Sequence, residues 1–167
     1  FQNSGLQGCI VPVITPVNFS GGKLTGLDHE SLHKLLDHLT ANGADGLFIL
    51  GNAGSFQFLP LEVKLELINA VTARAGAVPV VVGISAQDAE ETCKLAAAAE
   101  VAGAKAGVLV PHYNGDEVTG LVRKVAAVTN LPLIFYNNPW ICLDKAELTP
   151  ERVSDLSLKF PGRIAGI

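Results

Sequence analysis

Residues 78–83 read VPVVVG, residues 87–103 read QDAEETCKLAAAAEVAG, and residues 106–110 read AGVLV. The outer two segments are short, apolar and rich in β-branched residues, the pattern of strands covered on both faces. The segment between them keeps helical spacing, with Leu95, Ala98, Ala99 and Ala102 on one side and Gly103 to stop it. Strand, helix and strand in that order make a parallel pair joined by a right-handed crossover. The unit recurs on both sides. Further strands are expected over residues 9–15, 46–50, 131–136 and 163–167. Further helices are expected over residues 28–42, 60–76, 115–129 and 149–160. Asp28 suits the N-cap of the first helix, and Gly43 suits the position just past its end. No hairpin signal interrupts the repetition.

Repeated βα units leave two architectures, an open doubly wound sheet and a (β/α)8 barrel. A doubly wound nucleotide fold carries a glycine fingerprint after its first strand. Here that strand ends in Thr15-Pro16 and runs on through Val17, Asn18 and Phe19, with no such glycines. Polar clusters at the ends of successive strands favour the α/β class and the (β/α)8 TIM barrel. Residues 6–167 are therefore expected to be the N-terminal part of such a barrel, with five to six βα units and an end before the seventh strand. Residues 1–5, FQNSG, look like the remnant of a cleavable tag.

Composition narrows the function classes. Of the 167 residues, 49% are hydrophobic and 17% charged, which excludes an intrinsically disordered chain. The net charge of -4 offers no basic surface for nucleic acid or acidic lipid. The apolar runs fall far short of a membrane span, so the expected location is the cytoplasm. Cys9, Cys93 and Cys142 have neither metal nor redox spacing and are expected to be buried free thiols.

In a barrel the chemistry sits at the C-terminal ends of the strands. The second expected strand runs into Gly51-Asn52-Ala53-Gly54-Ser55, where two glycines let backbone N–H groups converge on a carboxylate or phosphate. The fourth ends in Pro111-His112-Tyr113-Asn114 and the fifth in Tyr136-Asn137-Asn138-Pro139. Two tyrosines at strand ends can pass protons around a carbonyl centre. Either one alone reads as well as a half-buried anchor with a wet hydroxyl.

Taken together, these motifs resemble the dihydrodipicolinate synthase/N-acetylneuraminate lyase family of class I pyruvate aldolases. Thr15-Pro16, the Gly51 to Ser55 loop, Pro111-His112-Tyr113, Tyr136-Asn137-Asn138-Pro139 and the closing Ile164-Ala165-Gly166-Ile167 follow the family's order. The resemblance implies a lyase in which a lysine amine condenses with pyruvate or a related 2-oxo acid. That lysine is expected immediately after Ile167. The imine is its own electron sink, so neither cofactor nor metal is expected. Tyr136 would shuttle protons, and Tyr113 would reach into a neighbouring subunit of a homo-oligomer. Gly51, Asn52, Ala53 and Gly54 would hold the substrate carboxylate, with His112, Asn138 and Trp140 facing the second substrate, an aldehyde or sugar acid.

The departures from the family pattern bear on substrate. Asn52 and Ala53 stand where the family offers hydroxyls, and Ser55 where it has a glutamate. Trp140 and Ile141 stand where dihydrodipicolinate synthases place an arginine for the aldehyde's carboxylate. These changes keep two alternatives open, a 2-keto-3-deoxy sugar-acid aldolase or dehydratase and a non-catalytic family member.

One competing motif remains. His29-Glu30-Ser31-Leu32-His33 matches H-E-x-x-H, a zinc-hydrolase signature when it lies on a helix. It adjoins the apolar stripe of Leu32, Leu35, Leu36 and Leu39, and a third ligand is wanting because His38 falls on another side. The motif is read as a solvated edge of an outer helix, and Glu90-Glu91 as an ordinary solvated helix face.

Overall fold

The computed structural model describes residues 5–111, 118–138 and 148–167. The chain opens with β1 (Ile10–Pro12), β2 (Val17–Ser20), β3 (Lys23–Leu27) and α1 (His29–Ala41). Then come β4 (Gly46–Ile49), α2 (Leu61–Ala75), β5 (Val80–Gly83), α3 (Ala89–Val101) and β6 (Ala106–Leu109). It closes with α4 (Val118–Val128), β7 (Leu133–Phe135), α5 (Pro150–Lys159) and β8 (Ile164–Gly166). β1, β4, β5, β6, β7 and β8 form one parallel sheet in that order, each strand beside the next in the repeat. This is the strand order of a (β/α) barrel. Among the described residues β1 and β8 are the two edges, so the sheet is an open arc.

Burial shows why the strands look continuously apolar in sequence. Leu47, Ile49, Val80, Val82, Leu133 and Phe135 turn outward into the main core beneath the helices. Val81, Ala106 and Val108 turn the other way into a second, smaller cluster, against which Ile10, Phe48 and Ile134 pack. Side chains still alternate with a period of two, but both faces are apolar. The helices end where caps require. Asp28 accepts the Ser31 N–H at 3.0 Å and the Ser31 hydroxyl at 2.6 Å, and these bonds hold its carboxyl below the usual range. Gly43, at φ 86°, follows α1 as expected.

Three expectations need correction. First, β2 and β3 form an antiparallel hairpin across Gly21 and Gly22, both at positive φ, where no hairpin was expected. The Gly-Gly pair is the signal for a two-residue turn. Its strands go unseen because their alternation is short, Val17 and Phe19 before the turn and Leu24 after it, and Gly26 then breaks it.

Second, Cys9 is exposed and Cys93 only partly buried, because each lies outside the two apolar clusters' buried centres. Cys142 lies outside the described residues. Third, Glu91 is not part of a freely solvated face. It accepts from Lys64 Nζ at 2.7 Å, bridging α3 to α2, and the Lys64 side chain is only 6% exposed. Among the described residues no helix is long and apolar enough to cross a membrane.

Candidate active site

At the C-terminal ends of the strands lies a cavity of about 330 Å³. Its walls are mostly apolar, from Phe48, Leu50, Phe56, Val108 and others, and among the described residues three polar side chains line it: Asn52, Ser85 and Tyr136. No charged side chain among the described residues does so. The described residues thus offer an anion neutral donors only.

The loop after β4 is tightly constrained. Leu50 and Ser55, at φ 55° and 53°, are its two left-handed non-glycine residues and bracket the segment between them. Such backbone costs of order 1–3 kcal/mol per residue and persists only where surroundings enforce it. Here the surroundings are visible. A Cβ on Gly51 would sit 2.8 Å from the Phe48 ring, and one on Gly54 2.9 Å from Thr15 Oγ1. The Gly54 N–H donates to the Gly51 carbonyl and the Ser55 N–H to the Asn52 carbonyl, forming a tight turn. A turn of this kind leaves its first N–H groups, those of Asn52 and Ala53, without partners inside it.

Gly51, Asn52 and Ala53 all line the cavity. Gly54 stands behind them, where with Ala53 it borders a second hollow beside Thr15 and Ser55. Tyr136 enters from the end of β7, 39% exposed, its N–H donating to the Leu109 carbonyl at 2.9 Å. Asn138 Nδ2 donates to Tyr136 Oη at 3.1 Å, which places Asn138 beside the phenol and outside the cavity lining. Asn137 clamps this loop to the start of α5. Its amide nitrogen donates to the Leu148 carbonyl, and its oxygen accepts the Leu148 N–H, both at 3.2 Å. His112, Tyr113 and Trp140 lie outside the described residues.

Two contributors escape the sequence argument. The left-handed Leu50 has no signal in its residue type. Ser85 does have one, since it follows β5 just as Gly51 follows β4, but no motif drew attention to it. The H-E-x-x-H residues take other partners: His29 Nε2 lies 2.7 Å from Glu66 Oε1 on α2, and Glu30 pairs with Lys34. The His29 and His33 rings meet edge to face with centroids 6.1 Å apart.

Known proteins share this sequence and fold. A 4-hydroxy-tetrahydrodipicolinate synthase from Azoarcus sp. strain BH72 is 38% identical over 139 residues, covering 80% of this chain and 46% of the relative. Dihydrodipicolinate synthase from Bacteroides thetaiotaomicron superposes with a TM-score of 0.80 at 30% identity, over 94% of this chain and 52% of that one. A prophage protein of the dihydrodipicolinic acid synthase family from E. coli K12, in complex with pyruvate, gives 0.77 at 28% identity, over 90% and 51%. The chain thus spans about half the length of the relatives it matches. The model of the Dihydrodipicolinate synthetase family matches residues 5–167, and the chain belongs to that family.

Proposed function

We propose that this chain supplies the first six strands of a pyruvate-dependent class I lyase that acts in the cytoplasm as a homo-oligomer. The nucleophile is a lysine placed directly after Ile167, at the end of β8. Its amine attacks the ketone carbon of pyruvate or a related 2-oxo acid, and loss of water gives the imine. Tyr136 carries protons to and from the reacting atoms, with Tyr113 from a neighbouring subunit as its relay. The loop of Gly51, Asn52, Ala53 and Gly54 receives the carboxylate through the N–H groups of Asn52 and Ala53, while the Gly54 N–H closes the turn onto the Gly51 carbonyl. The observation that carries this reading is the meeting of that loop and Tyr136 at one strand-end cavity. Incubation of the protein, including the residue after Ile167, with pyruvate and borohydride should add one stable mass to one peptide. No adduct, with another residue following Ile167, overturns the proposal.

The second substrate is an uncharged aldehyde or a sugar acid with a hydroxylated tail, facing His112, Asn138 and Trp140. Trp140 and Ile141 provide no cation for a second carboxylate. Burying that charge without a partner costs several kcal/mol by order of magnitude, or roughly two powers of ten in rate. Aspartate semialdehyde should accordingly show a kcat/KM about 100-fold below that of a neutral aldehyde. If aspartate semialdehyde is the better substrate, a cation reaches it from elsewhere. A 2-keto-3-deoxy sugar acid, cleaved or dehydrated through the same imine, is the second reading, favoured by this lack of a cation.

A further inference from the structure

We propose that Ser85 is a substrate-binding residue whose hydroxyl donates to the carboxylate of the bound 2-oxo acid. The inference rests on the 2-oxo acid reading above and adds a residue outside the Gly51 to Ser55 loop. Ser85 is 3% exposed, yet its side chain lines the cavity. Its Oγ accepts the Val110 N–H at 2.7 Å, so a side-chain oxygen continues the β5–β6 ladder past the Ile84 N–H to Val108 carbonyl bond. Among the described residues that is the only hydrogen bond of the hydroxyl. A hydroxyl has one proton to donate as well as lone pairs, and the Val110 N–H occupies the acceptor side. The proton therefore turns elsewhere, and the free space beside it is the cavity. A buried donor left unpaired is costly.

Position and fixity both favour a carboxylate. Gly83, two residues earlier, touches the Leu50 carbonyl so closely that a Cβ there would lie 2.1 Å from that oxygen. The end of β5 thus abuts the loop that begins at Gly51. Asn52 is exposed and only loosely tied, 3.5 Å from Gln57, and Ala53 has no donor in its side chain. Ser85 brings a hydroxyl to the same pocket from the adjacent strand end, already oriented by the backbone. A donor oriented before binding costs little further ordering, and its bond to an anion is among the stronger kinds.

The test compares borohydride trapping of pyruvate with that of acetone, a ketone without a carboxylate, in wild type and in Ser85→Ala. The half-saturating pyruvate concentration should rise roughly 10- to 100-fold, while acetone trapping changes less than about twofold. Ser85→Cys, nearly isosteric and a weak donor, repeats the measurement should the alanine variant melt early. Equal losses for both ketones would make Ser85 a wall residue only and overturn the inference. Unchanged pyruvate saturation in a variant whose wild type is trapped overturns it while leaving the lyase reading intact. If wild type traps no pyruvate, the lyase reading falls and this inference with it.

Discussion

Gly83→Ala should cost about 3 kcal/mol or more of folding stability, at the upper end of the usual overpacking range. The added methyl would meet the Leu50 carbonyl oxygen at 2.1 Å and its carbon at 2.8 Å. Both distances are to backbone, which cannot rotate away like the end of a side chain. Leu50 has little room to yield, because it is buried and already in left-handed conformation at φ 55°. Gly83 itself is paired in register with Val108 of β6. Gly107→Ala is the comparison, since its methyl would meet only side-chain atoms, Leu131 Cδ2 at 3.0 Å and Ile84 Cδ1 at 3.1 Å. Urea unfolding of both variants gives the two losses, and Gly83→Ala should exceed Gly107→Ala by about 2 kcal/mol. A loss below about 1 kcal/mol for Gly83→Ala would show that the Leu50 turn moves freely and is not held by this contact. The same substitution should disturb the cavity, because Leu50, Gly51 and Gly83 all line it.

The repetition of strand and helix was legible because each segment carries its own period, and the caps Asp28 and Gly43 confirm the boundaries locally. The hairpin of β2 and β3 was not, since its strands are short, mostly polar and largely exposed. What marks it is the Gly21-Gly22 turn alone. The Lys64–Glu91 pair was equally hidden, because spacing along one helix says nothing about which residue of the next helix lies opposite. At the site, Tyr136 and the Gly51 loop were found through motifs at strand ends. Ser85 is hard to read from sequence because its strand end has no distinctive neighbours, although it follows β5 just as Gly51 follows β4. Asn138 adds a link that its motif does not reveal, since its amide donates to the Tyr136 hydroxyl.

That contact leads to the largest expected effect on activity. If Tyr136 carries protons in the proposed lyase, Tyr136→Phe should lower kcat by about 100-fold or more, within the usual range for a lost acid–base group. The ring can stay in place, because the backbone N–H of Tyr136 is tied to the Leu109 carbonyl and phenylalanine fills nearly the same space. What disappears is the hydroxyl, together with its bond from Asn138 Nδ2. That bond supports negative charge as it builds on Oη when the proton leaves. KM for pyruvate should change little, because the proposed partners of the carboxylate are the Gly51 loop and Ser85, not the phenol. A change confined to kcat therefore separates proton transfer from binding. Asn138→Ala, which keeps the phenol but removes its donor, should lower kcat by about 10-fold, with the same indifference in KM. Should Tyr136→Phe raise KM while leaving kcat intact, Tyr136 is a wall of the cavity and the proton must travel through another group.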